Sequence, residues 1–165
     1  MRTLIAGVGY PFLRDGSLGP TLAARLQTEL WPPDVTVDDY SFGPIAVVHR
    51  WQAMGDEPFE KVVLFGAVER GRTPGTVTRY GWEPSGLDSF AVQERVAEAV
   101  TGVISLDNLL IVTHALQALP QRAIVVEVEP ADLGWGEGFS PIVAAALPTV
   151  VSYLRAETDV VPVGA

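Results

Sequence analysis

Short runs of consecutive apolar residues alternate along this chain with longer stretches in which apolar residues recur every three or four positions. The first run, Leu4 to Val8, stops at glycine, as a strand buried on both faces of a parallel sheet does. After a turn through Tyr10-Pro11 to Gly16, Leu18, Leu22, Leu26 and Leu30 recur at a spacing of four and predict a first helix, with Pro20 in its opening turn. Trp31-Pro32-Pro33 ends that helix. Val35 and Val37 then alternate with polar neighbours as an outer strand, and Gly43-Pro44 opens a second helix across Ile45, Val48 and Trp51.

Lys61 to Val68 is a second continuous apolar run, and the polar Glu69-Arg70-Gly71 that follows marks a loop at the strand's carboxyl end. Pro74-Gly75 precedes Thr76 to Trp82, a β-branched and aromatic stretch that predicts an edge strand. A weaker helical pattern runs through Val92, Val96, Ala99 and Val100, and a stronger one from Leu106 to Leu119. Ala123 to Val128 is a further buried strand. Ser140-Pro141 pairs a cap with a first-turn proline and opens a last helix to about Arg155, which Pro148 is expected to bend. Strands and helices thus alternate, and the expectation is a three-layer α/β/α sandwich with a mostly parallel central sheet. One domain spans 1–157, while 158–165 carries no supporting pattern and is expected to fray.

The length of 165 residues agrees with one domain, and 48% hydrophobic against 19% charged residues agrees with a packed core. Twenty acidic and eleven basic residues give a net charge of -9, and Lys61 is the single lysine. That charge repels a phosphate backbone and an anionic bilayer, so neither nucleic acid nor a membrane surface is an expected partner. The absence of cysteine excludes disulfides, thiolate metal sites and a cysteine nucleophile. No segment approaches the roughly 18 to 20 apolar residues of a membrane span, and the N-terminal apolar run is too short for a secretory signal. The expected location is the cytoplasm.

Gly7-Val8-Gly9-Tyr10-Pro11-Phe12 begins like a dinucleotide-binding turn, but Phe12 stands where a third glycine is needed and Pro11 removes a backbone donor, so it reads as a tight structural turn. There is no phosphate loop and no Gly-x-Ser-x-Gly elbow. His49 and His114 lie in helical, largely apolar surroundings that suit packed or surface residues. Asp15, Glu69 and Asp107 each follow or face the carboxyl end of a strand, so the three carboxylates can converge on a hard cation; solvated loop and helix-start acids are the commoner role.

Several blocks in a fixed order resemble the hydrogenase maturation proteases, nickel-dependent enzymes that trim the C-terminus of the nickel-iron hydrogenase large subunit. They are Met1-Arg2-Thr3-Leu4-Ile5-Ala6-Gly7-Val8-Gly9 with Leu13, Asp15 and Gly19; Gly66-Ala67-Val68 with Pro74-Gly75-Thr76-Val77; Ser105 before a helix; and Glu127-Val128-Glu129-Pro130 with Gly138-Phe139-Ser140-Pro141. The resemblance implies the same α/β sandwich. It also implies three metal ligands, a Glu, an Asp and a His, at positions occupied here by Gly16, Gly66 and Asp107. Only Asp107 retains a ligating side chain, and glycine cannot coordinate.

The leading expectation is therefore a degenerate, peptidase-like member that acts as a binding or assembly factor and needs no cofactor. Its implied partner is a protein, a hydrogenase large-subunit precursor or another maturation protein. The alternative is an active endopeptidase holding nickel or zinc through a relocated set drawn from Asp15, Glu69, Asp107 and His114, with bound water polarised for attack. The two glycines are expected to leave space where a peptide can approach. Trp135, in the loop before the last matched block, is the candidate partner contact, although core or loop anchoring is the commoner role for such a residue.

Overall fold

Five apolar segments become the five strands of a single sheet. They are β1 (Thr3–Gly7), β2 (Val35–Asp39), β3 (Lys61–Ala67), β4 (Val77–Gly81) and β5 (Arg122–Val128), in the order β2-β1-β3-β5-β4. The computed structural model describes residues 1–158. The first four strands in that order run parallel, and β4 closes one edge antiparallel to β5, with Thr78 opposite Glu127 and Tyr80 opposite Val125. β1, β3 and most of β5 are buried on both faces, which is why they read as unbroken apolar runs, whereas β2 and β4 are half-buried edges.

Helices α1 (Leu18–Leu26) and α5 (Pro141–Ala156) cover one face, and α2 (Pro44–Gln52) and α4 (Leu106–Ala115) cover the other. Alternate strand residues divide between two cores. Ile5, Val63, Phe65 and Val126 pack with Leu18, Leu22, Leu26, Val143 and Val150, while Leu4, Ala6, Leu64 and Val125 pack with Val47, Trp51, Leu109 and Leu110. Helix α3 (Ser89–Val100) joins α4 through Asn108, whose buried side chain meets Arg95 and Glu98. The expected three-layer sandwich is the observed one, and among the described residues no helix is long and apolar enough to cross a membrane.

Two helix ends differ from the periodicity. α1 stops at Leu26, and Leu30 is 93% exposed despite continuing the spacing of four. The reason is Trp31, whose indole N–H donates to the Leu26 carbonyl at 2.8 Å and ends the helix, with the Arg155 guanidinium 3.6 Å above its ring. α4 stops at Ala115 rather than Leu119, because Gln117 adopts a left-handed φ of 58° and the N–H groups of Ala118 and Leu119 turn back to the Thr113 carbonyl. Pro148 lies inside α5. At the end of α5, Glu157 and Thr158 are buried, and 159–165, the rest of the segment expected to fray, lie outside the described residues.

Glu157 meets Lys61 at 2.6 Å and also pairs with Arg79. Burial alone would raise the Glu157 carboxyl, but the hydrogen bonds from Lys61 and Arg79 hold it below its ordinary value. Lys61, only 3% exposed, spends its ammonium there and on the Glu157 carbonyl. Acylation of the native protein with an amine-reactive ester will accordingly leave Lys61 unmodified. Unfolding in guanidinium will expose it, and a Lys61 adduct on the native protein, by peptide mass spectrometry, would show it to be accessible.

Candidate functional site

The chain changes direction between β1 and β3. β1 leads through α1 on one face to β2, and β2 leads through α2 on the other face to β3. Ligands of open α/β sheets bind in the crevice outside the carboxyl ends of such strands. A cleft of about 330 Å³ lies there, lined by Val8, Gly9 and Tyr10 after β1, by Ala67, Val68 and Glu69 after β3, and by Ile104 to Asp107 at the start of α4. Leu13, Gly16 and Leu133 complete it. Tyr10 spans its mouth, its hydroxyl accepting the Ile104 N–H at 2.7 Å. The walls are mainly apolar, and the acids facing the cleft are Glu69 and Asp107.

Asp15 does not face this cleft as a free carboxylate. It is fully buried in a short 3-10 turn, Arg14–Ser17, and its two oxygens accept four hydrogen bonds: from the Ala131 and Asp132 N–H groups at 2.9 Å and from the Ser140 N–H and hydroxyl at 2.8 Å. Burial pushes its carboxyl up, but these donors together outweigh that effect and hold it below its ordinary value. Asp15 therefore pins the first loop to the segment between β5 and α5.

Asp107 is in the first turn of α4, capped by the Ser105 hydroxyl, and both its oxygens are engaged by Arg70, each at 2.9 Å. Arg70 also reaches Glu127, a wholly buried acid on β5, through Nε and Nη2 at 3.2 Å. Arg72 meets the same carboxylate at 2.6 Å and the Tyr80 hydroxyl donates to it at 3.1 Å, while Glu129 accepts the N–H groups of Arg70 and Gly71. Hydrogen bonds from Arg70 to Asp107 and Glu127 raise the guanidinium further above its ordinary value, so it is permanently charged. Burial, with the negative field of Glu127, pushes the Tyr80 phenol up to about 12. A buried Glu127 without these partners would carry the full cost of an unpaired charge, so the cluster is obligatory.

The remaining candidates are scattered. Glu69 is exposed on the cleft rim, with no hydrogen bond or ion pair among the described residues. His114 is seven residues along α4 from Asp107, roughly 10 Å at 1.5 Å per residue. It lines a different hollow with Leu119 and Gln121, its ring edge-on to Trp82 at 5.5 Å. Asp15, Glu69, Asp107 and His114 therefore do not converge. No three His, Asp or Glu side chains among the described residues come together to hold a metal ion.

Positions 16, 66 and 107 do come to the same end of the sheet, but the glycines are not open space. A methyl group built on Gly66 would overlap the Val8 carbonyl oxygen, well inside contact distance, and lie 3.4 Å from Leu106 Cδ1. One built on Gly19 overlaps the same Val8 peptide, so the chain leaving β1 packs closely against two glycines. At Gly16 a methyl group would meet the Leu13 and Leu133 side chains at 3.1 and 3.2 Å. The room for a ligand lies outside them, in the cleft.

Trp135 is not an anchor. It is 80% exposed and pairs with Phe12, itself 51% exposed, with ring centroids 6.2 Å apart. Arg70, Arg72 and Glu127 were missed as a cluster when only the sequence was read. The available signal was Glu127 itself, an acid inside the apolar run of β5, which requires a cation that Arg70-Gly71-Arg72 supplies.

This architecture is that of the hydrogenase maturation proteases. The chain superimposes on hydrogenase 2 maturation peptidase from a Thaumarchaeota archaeon with a TM-score of 0.67 and 24% identity, covering 96% of this chain and 99% of that one. HybD, the hydrogenase maturating endopeptidase of E. coli, gives 0.68 at 19% identity over 95% and 91% of the two chains. The maturation protease HybD of Thermococcus kodakarensis gives 0.64 at 17% over 96% and 100%. No sequence-family model matches the chain, and no curated protein does. At these identities the likeness is one of fold.

Proposed function

We propose that this chain is a hydrogenase maturation protease-like binding protein that recognises a protein partner without metal-dependent cleavage. The reading rests above all on the Arg70–Asp107 pair. At the one position where the resemblance leaves a ligating side chain, both oxygens are already held by an internal cation. A metal competing there would have to displace a bidentate guanidinium that also neutralises the buried Glu127. The ion pair draws the β3–β4 loop onto the start of α4 and so fixes one wall of the cleft.

The cleft then serves as a receptor. Its apolar walls, with Tyr10 across the mouth, suit a side chain or short segment of a protein. The fold supports a hydrogenase large-subunit precursor or another maturation protein as that partner, and the cytoplasm as the place where they meet. Chelator-treated protein titrated calorimetrically with nickel and zinc will show no stoichiometric site at micromolar affinity. Stoichiometric uptake that disappears on changing Glu69 or Asp107 would instead establish a relocated metal centre and overturn the metal-free reading.

A further inference from the structure

Beside the cleft stands a surface that the reading above leaves unused. Phe12 and Trp135 expose their rings side by side, and the hollow next to them, about 380 Å³, is lined by Pro11, Pro20, Thr21 and Glu137. The cleft with Glu69 borders the same loop pair, which contributes Leu13 and Leu133 to its wall. Glu69 and Glu137 are exposed, neither makes an ion pair among the described residues, and no Lys or Arg lines either hollow. Arg14 lies against Gly136 in the same loop pair and is paired with Asp132 at 3.4 Å.

The aromatic pair is held in place by the backbone. Phe12 and Arg14 adopt left-handed φ values of 65° and 45°, which side-chain-bearing residues keep only where their surroundings enforce them. The enforcement is visible. The Gly136 N–H donates to the Phe12 carbonyl at 2.7 Å, the Arg14 N–H donates to the Gly136 carbonyl at 3.1 Å, and Asp15 clamps the next residues of both loops. A strained, braced loop that directs two aromatic rings into solvent is a pre-organised contact, because little freedom remains to be lost when a partner covers it.

We infer that Phe12 and Trp135 form a docking platform for a cationic protein segment, an arginine or lysine lying on the aromatic faces beside the carboxylate of Glu137. Aromatic faces attract guanidinium and ammonium groups, the exposed Glu137 carboxylate beside Phe12 adds the complementary charge, and the net charge of -9 steers a basic segment toward the molecule. The occupant is thus a basic residue with aliphatic or proline neighbours able to fill the flanking hollows. This inference rests on the protein-binding reading above but not on the absence of metal.

The test is a random-peptide display selection on the full-length protein, with affinities of the selected peptides measured on variants. Peptides carrying Arg or Lys next to apolar residues will be enriched. Their binding will weaken at least tenfold in Trp135→Ala and severalfold in Glu137→Gln, and will weaken as salt rises. Trp135 is exposed, so its variant should melt with the wild type, and a circular dichroism melt checks this. Recovery of no peptides, of acidic peptides, or of peptides that bind Trp135→Ala as well as wild type would overturn the platform. Uptake of nickel would overturn the metal-free reading and leave the platform standing.

Discussion

Replacing Gly66 by aspartate will not rebuild a metal centre, alone or together with Gly16→Glu and Asp107→His. The Cβ of residue 66 has to occupy space held by the Val8 carbonyl, which is main chain and is also packed closely against Gly19. Backbone cannot rotate away as a side chain does, so β1 and β3 must separate at their carboxyl ends, at an expected cost of about 3 kcal/mol, the upper range for overpacking. Gly16→Glu is milder because its contacts, Leu13 Cβ at 3.1 Å and the Leu133 side-chain end at 3.2 Å, overlap far less and involve no main-chain atom. Asp107→His adds a second penalty, since Arg70 loses its bidentate partner beside the buried Glu127. Urea unfolding will rank Gly66→Asp well below Gly16→Glu, and calorimetry on the triple variant will find no nickel site. A triple variant that binds nickel stoichiometrically with wild-type stability would show that the end of β1 can move aside.

Asp15→Ala will be the most damaging of the carboxylate substitutions, lowering stability by roughly 4 kcal/mol, because three backbone N–H groups and a hydroxyl lose a charged acceptor in a buried site. For a domain of this size that corresponds to a melting temperature lower by about 12 °C. The pH dependence has a definite sign. The folded-state carboxyl titrates below the reference value of 3.8, so its contribution is present above 3.8 and is lost as the pH falls through the lower folded value. Glu157 acts in the same sense from its reference value of 4.5. Stability should therefore fall with acidification below about pH 4.5, and Asp15→Asn should flatten the lower part of that slope. An unchanged slope in Asp15→Asn would remove Asp15 from the acid transition.

Asp15 also shows how far a sequence can be read. Its position after the first strand was legible, and so was its match to a family motif. Its partners at 131, 132 and 140 lie up to 125 residues away, and nothing local distinguishes a clamped carboxylate from a free one. Glu69 and Asp107 looked equivalent in the sequence, yet one is a rim acid and the other is held by Arg70. Gly66 read as a missing ligand and an opening; the structure adds that Val8 fills the place of its side chain. Leu30 and Leu116 to Leu119 continued helical spacings beyond the helix ends, because a carbonyl captured by the Trp31 indole, or a left-handed Gln117, leaves no trace in the periodicity.

The sequence by itself determined the order and kind of nearly every element, the central place of β1 and β3 and the sandwich they build. These follow from burial, and burial is written locally, as unbroken apolar runs for strands covered on both faces and a spacing of three to four for helices covered on one. The tertiary structure alone decided which acids are free, which are clamped, and that Phe12 and Trp135 meet in solvent. A carboxylate's availability depends on charges and hydrogen-bond donors brought near it from distant parts of the chain, and those distances exist only once the chain has folded.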